Sequence, residues 1–147
     1  MASSSRLSVA HGDDTLVDSC VILDALTDDP KWADWSQEAM STASDVGSLV
    51  VNPIIYAEIA GGFDAIEDLD GALPAEVFRR EALPYHAAFL ASRADRAYRR
   101  NSGAKRSPLP DFYIGAHAAV FGYRLLTRGA ARYRTYFPRL RIVAPER

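Results

Sequence analysis

Three carboxylates in this chain stand alone in apolar or small-residue surroundings. Asp18 interrupts the run Thr15–Leu23, Glu58 sits between Ala57 and Ile59, and Asp111 follows the two prolines Pro108 and Pro110. Acids brought together raise each other's pKa unless a cation neutralises them. A hard divalent ion such as Mg2+ answers that need, because it prefers oxygen ligands and keeps several waters. Such an ion polarises a phosphoryl oxygen and generates hydroxide near neutral pH. Each acid also has a plainer reading. Asp18 could bond the amides of the following turn, Glu58 could face solvent, and Asp111 could cap a helix or sit in its first turn.

Other chemistries find less support. Cys20 and three scattered histidines offer no zinc-ligand spacing. Neither G-x-x-x-x-G-K-[ST] nor G-x-G-x-x-G occurs, and no G-x-S-x-G elbow is present. A phosphatase using Asp-x-Asp at the first strand would need an acid where Cys20 stands.

The elements that must position the acids alternate. Thr15 to Asp18 reads as a buried strand and Ser19 to Leu26 as a short helix. A helix from Lys31 to about Thr42 follows, with Trp32, Trp35 and Ala39 at helical spacing. Ser48 to Val51 is a second strand, and Asn52-Pro53 opens the helix that carries Glu58 toward a cleft. Gly61-Gly62 ends it. Phe63 to Leu73 is an acidic surface segment, and Glu76 to Leu83 contains a brief strand. Pro84 to Arg100 is a long helix. Phe112 to Tyr123 forms a helix whose Gly115, Ala116, Ala118 and Ala119 allow close packing. Arg124 to Arg128, Ala130 to Tyr136 and Leu140 to Val143 read as strand, helical turn and strand. Strands alternating with helices indicate an α/β fold with a parallel sheet covered on both faces.

A length of 147 residues with 48% hydrophobic content fits one domain with a real core. Residues 1–14 read as a flexible lead and residues 15–147 as the domain. No apolar run approaches the ~20 residues a bilayer needs. One cysteine excludes an intrachain disulfide and suits a reducing cytosol. The net charge of −2 hides an asymmetry. Residues 1–92 hold 16 acids and 4 bases, whereas residues 93–147 hold 3 acids and 13 bases. An acidic half beside a basic half either evens out in the fold or builds a metal site next to a polyanion track.

Val17-Asp18-Ser19 with Leu23-Asp24, Ala57-Glu58, and Leu109-Pro-Asp-Phe-Tyr-Ile-Gly-Ala-His-Ala118 together resemble the motifs of PIN-domain proteins. Leu125-Leu-Thr-Arg128, Arg132-Tyr133 and Tyr136-Phe137-Pro138 add to the resemblance, which is nearest to VapC toxins, the ribonucleases of type II toxin–antitoxin pairs. The resemblance covers about Thr15 to Pro145. It implies a five-stranded sheet in the order 3-2-1-4-5, use of Mg2+ or Mn2+ by Asp18, Glu58 and Asp111, an RNA substrate, a VapB-like antitoxin and a homodimer in the cytoplasm. The family usually has a fourth acid after Thr-Arg; here Gly129 follows Arg128. That departure admits an alternative, a PIN-fold protein that sequesters RNA or a protein partner without cutting. For the antitoxin and the second subunit, Trp32, Trp35, Ile54, Ile55 and Tyr56 are candidate contacts. For RNA, the candidates are Arg93, Arg96, Arg100, Lys105 and Arg106, a basic stretch that leads into Asp111.

Overall fold

The computed structural model describes residues 13–102 and 108–146. Five parallel strands form one sheet: β1 (Thr15–Val17), β2 (Leu49–Val51), β3 (Phe78–Arg80), β4 (Arg124–Leu126) and β5 (Ile142–Val143). Their order is β3-β2-β1-β4-β5. The expected architecture and strand order are therefore found. β1 and β2 are buried along their whole length, which is why they read as unbroken apolar runs rather than alternating ones. Register is set by Leu16 opposite Val50 on one side and Leu125 on the other.

Among the described residues, seven helices connect the strands: α1 (Ser19–Leu26), α2 (Ala33–Val46), α3 (Pro53–Ala60), α4 (Ile66–Ala72), α5 (Tyr85–Ser102), α6 (Leu109–Phe121) and α7 (Ala131–Tyr136). Their ends follow local chemistry. Asn52 caps α3 by accepting from the Ile55 amide at 3.0 Å, with Pro53 in the first turn; such a cap contributes about 1 kcal/mol. α2 begins two residues later than the sequence reading placed it. The Asp29 carboxylate accepts from the Lys31 and Trp32 amides and holds a turn there instead. α6 stops at Gly122, whose φ of 72° is left-handed. Its other glycine, Gly115, faces α7. A Cβ there would lie 2.6 Å from the Phe137 ring, so only glycine permits this approach.

Two expectations need correction. Asp14, assigned above to the flexible lead, is buried; it accepts from the Ser48 amide and pairs with Arg79. Ile55 is fully buried in the core, so it cannot serve as a partner contact. Residues 1–12 lie outside the described residues, as do Lys105 and Arg106 of the basic stretch. Among the described residues, no helix is long and apolar enough to cross a membrane.

Candidate active site

Parallel strands deliver their final residues to one edge. Asp18 directly follows β1 and Thr127 directly follows β4, the two central neighbours. The Asp18 amide donates to the Leu126 carbonyl at 2.9 Å, which locks the two strand ends together. Asp18 is also the N-cap of α1 and accepts from the Ser19 amide through Oδ1 at 2.8 Å. The plainer reading of Asp18 thus holds, but it accounts for one oxygen only. Oδ2 accepts from the Thr127 hydroxyl at 2.8 Å and from the Tyr133 hydroxyl at 3.1 Å.

Glu58 is joined to this centre through Ser19, whose hydroxyl donates to Oε1 at 2.7 Å. It was expected to point into a cleft; as a residue it is exposed, and only its carboxylate reaches inward. Asp111 lies in the first turn of α6, not at its cap, which is Pro108. Its Oδ2 accepts from Arg132 Nη1 at 2.7 Å. Consecutive residues of α7 therefore hold two acids: Arg132 takes Asp111 and Tyr133 takes Asp18. The bare Cα of Gly115 is what lets Tyr133 come so close.

The acids influence one another. Burial pushes the Asp18 carboxyl above its usual range and the charge of Asp111 adds to this, while the bonds from Thr127, Tyr133 and Ser19 oppose it. Burial also raises Glu58, against the Ser19 bond and with the help of Asp18 and Asp111. The Tyr133 hydroxyl is driven far up by burial and by Asp18, so it stays a proton donor. A carboxylate that is buried and surrounded by like charges costs free energy until a cation arrives.

The donor set suits a hard divalent cation: every carboxylate keeps lone pairs that its hydrogen bonds leave unused. Even so, no three His, Cys, Asp or Glu side chains stand together as a metal-binding group among the described residues. Asp111 is engaged by Arg132 instead. Where the related motif places a fourth acid, Gly129 leaves open space: a Cβ there would meet no heavy atom within 4 Å. The Thr127 hydroxyl beside it donates to Asp18 and accepts from the Gly129 amide at 3.2 Å.

Ser19, Thr127, Arg132 and Tyr133 stand in the quoted motif segments, but their bonds to the acids were not read from the sequence. The position of Ser19 and Thr127 just beyond the two central strands was the available signal. Asp24 and Arg128, part of the motif resemblance, prove structural. Arg128 grips Asp24 with Nε at 2.6 Å and Nη2 at 3.0 Å, Ser36 donates to the same carboxylate, and the guanidinium lies over the Trp32 ring. Arg93, Arg96 and Arg100 are exposed on α5.

Known proteins place this arrangement. Among solved structures, the VapBC2 complex of Rickettsia felis bound to a promoter DNA fragment matches with a TM-score of 0.69 and 14% identity, over 90% of this chain and 99% of the other. VapBC-1 of nontypeable Haemophilus influenzae gives 0.67 and 17%, over 89% and 97%. A toxin–antitoxin complex of Klebsiella pneumoniae gives 0.64 and 18%, over 90% and 98%. At these identities the likeness is one of fold. No curated protein matches. The family profile that does match is the PIN domain, over residues 15–138, which takes in all three acids and every residue that holds them. The chain belongs to the PIN domain family.

Proposed function

We propose that the chain is a divalent-cation-dependent endoribonuclease of the VapC kind, held in check by an antitoxin. The observation that carries this reading is Asp18: a carboxylate only 7% exposed, raised by burial and by Asp111, yet fixed by three hydrogen bonds. The cap of α1 needs only one of its oxygens; the other, held by Thr127 and Tyr133 against burial and a like charge, points to a chemical use. Asp18, Glu58 and Asp111 would hold Mg2+ or Mn2+, which when bound supplies charge for a phosphoryl oxygen and an activated water. The chain's own residues orient Asp18 through Thr127 and Tyr133, and Glu58 through Ser19. Arg93, Arg96 and Arg100, with Lys105 and Arg106, would bring the polyanion to these acids. Binding should therefore weaken with salt, by a log–log slope of about −0.7 per phosphate for single strands.

The solved relatives are toxin–antitoxin complexes, and several contain DNA. By analogy this chain would pair with a small antitoxin in the cytoplasm and form a homodimer. A cleft of about 240 Å³ between α3 and α4, lined by Tyr56, Ala60, Phe63, Ile66 and Leu69, suits an apolar helix. Trp32, Trp35 and Ile54 are half-buried and remain candidates for such contacts.

The deciding experiment is cleavage of labelled cellular RNA with Mn2+ and with EDTA. Metal-dependent cutting that disappears in Asp18→Asn supports the nuclease. A second reading, a PIN protein that binds without cutting, draws on Gly129 and on the Arg132–Asp111 pair. It gains if RNA is bound but never cut at any Mn2+ concentration.

A further inference from the structure

α5 carries a feature that the acids do not explain. Tyr85 and Phe89 are exposed at 93% and 64%, unusual for large rings. They are not scattered. At 100° per residue, Tyr85, Phe89, Arg93, Arg96 and Arg100 fall within an arc of about 80°. The packed residues Ala87, Ala91 and Ala94 occupy the opposite side of the helix. The outward face is thus one continuous line, two rings followed by three guanidinium groups, rising roughly 22 Å at 1.5 Å per residue. The Arg93 guanidinium already lies 4.7 Å from the Phe89 ring centroid, so the apolar and basic parts join without a gap.

The line has a direction. Tyr98, near the end of α5, meets Phe112 at the start of α6 with ring centroids 5.8 Å apart. Phe112 is next to Asp111. The basic end of the stripe therefore belongs to the end of α5 that packs, through Tyr98 on the opposite side of the helix, against the start of α6, and the aromatic end belongs to the other.

We propose that this face of α5 is a binding track for single-stranded nucleic acid, with bases stacking on Tyr85 and Phe89 and phosphates paired with Arg93, Arg96 and Arg100. The inference rests on the nuclease reading and extends it by naming the stacking platform. Two observations favour this occupant over an apolar helix. An apolar partner would leave three guanidinium groups facing it, whereas a nucleic acid strand supplies a π-face for each ring and an anion for each Arg. The guanidinium groups also follow the rings toward the end of α5 that packs against the helix of Asp111, where a cationic surface favours a polyanion. Stacking demands rings, and a general apolar contact does not. That difference makes the proposal testable.

The test measures binding of fluorescein-labelled oligouridine to the full chain by anisotropy, in EDTA so that nothing is cut. Tyr85→Leu and Phe89→Leu should each weaken binding about fivefold or more, with the salt slope unchanged. Tyr85→Phe should bind like the wild type. Arg93→Ala, Arg96→Ala and Arg100→Ala combined should flatten the slope by roughly 2. Unchanged affinity in both leucine variants overturns the proposal. So does a loss of dimer by light scattering in a Phe89→Asp variant whose oligouridine affinity is intact; the face would then be an interface between copies. Cleavage is scored separately. If the wild type cuts no RNA but the leucine variants still lose binding, the track stands and the nuclease reading falls. If the wild type cuts RNA and the variants bind normally, the reverse holds.

Discussion

Two polar clusters lie at the carboxyl edge of the sheet, and they differ in how their acids are paired. The first comprises Asp18 with Thr127 at the ends of β1 and β4, Glu58 joined through Ser19, and Asp111 on α6 held by Arg132. The second starts from Asn52 and Glu81, which follow β2 and β3. Asn52 Nδ2 lies 3.0 Å from His117 Nδ1, and His117 Nε2 lies 2.9 Å from Glu81 Oε1. The Tyr123 hydroxyl donates to Glu81 Oε2 at 2.6 Å, and Arg79 contacts Glu81, the Tyr123 oxygen and Asp14. In this second chain one guanidinium, Arg79, reaches both acids, Asp14 and Glu81, so each acid has an opposite charge against it. In the first, every acid accepts a hydrogen bond, but only Asp111 has an opposite charge against it, Arg132. α3 and α6 contribute to both: Asn52 caps the helix of Glu58, and Asp111 and His117 lie on the same helix. A cluster in which each acid meets an opposite charge is a strut. One in which two acids meet none awaits something else.

The largest expected effect tests that distinction. If the chain is the nuclease proposed, Asp18→Asn should lower RNA cleavage roughly a thousandfold, since a cation held there would be worth several kcal/mol in the transition state. The same variant should melt no lower than the wild type, because a costly buried charge has been removed. A lower melting temperature would show that Asp18 belongs with the struts.

His117→Ala should behave in the opposite way. It empties a fully buried site and strips Glu81 and Asn52 of a partner, so unfolding in urea should show a loss of about 3 kcal/mol. Mn2+ affinity by calorimetry should be retained by the folded fraction. If stability is untouched, the second cluster is not what braces α6.

The clusters should also separate by pH. Burial holds His117 below 6.5 despite Glu81. Burial alone would raise Glu81, but Tyr123, His117 and Arg79 outweigh it and leave it below 4.5. A depressed folded-state value means the unfolded chain binds more protons, so this stability is complete above pH 6.5 and is lost as pH falls through the two windows. Asp18 and Glu58 are raised above 3.8 and 4.5, so their contribution has the reverse sign: it is present at low pH and lost as pH rises. The stability gained by Asp18→Asn over the wild type should consequently grow with pH from about 4 upward. A constant difference between the two proteins would mean that Asp18 is not raised. This effect is smaller than that of deleting His117, since only protonation changes.

The sequence exposed the first cluster better than the second, for a physical reason. Asp18, Glu58 and Asp111 stand out as lone acids in apolar or small-residue segments, and their isolation is visible without a fold. His117 and Tyr123 also sit in such segments, but an imidazole or a phenol there reads as ordinary core. Only the pairing of α6 with β3 shows that they share Glu81. Strand order came from the family likeness, while alternation of strands and helices gave only a parallel sheet. The residues that hold the acids lie in the quoted motif segments, but which acid each would bond carries no sequence pattern. Tyr133 reaches Asp18 only because Gly115 lets α7 close in, a contact between positions far apart in the chain. The basic line on α5 was read from its spacing, but Tyr85 and Phe89 passed unnoticed until their exposure was known.

The smallest expected effect concerns the open place beside Thr127. Gly129 has no left-handed backbone, and the space its Cβ would enter is empty. Aspartate should therefore fit without strain and add a fourth carboxylate next to the acids. In water a unit charge about 4 Å from another is worth roughly 1 kcal/mol, and twice that toward a divalent ion. Gly129→Asp should then tighten Mn2+ binding about five- to thirtyfold by calorimetry. Without metal it should melt slightly lower, because it adds a like charge to a cluster that already lacks balance. Gly129→Asn has nearly the same shape without the charge and should do neither. If the Asp and Asn variants bind Mn2+ equally, the vacancy does not face the acids, and the comparison between the two clusters must rest on Asp18, Glu58 and Asp111 alone.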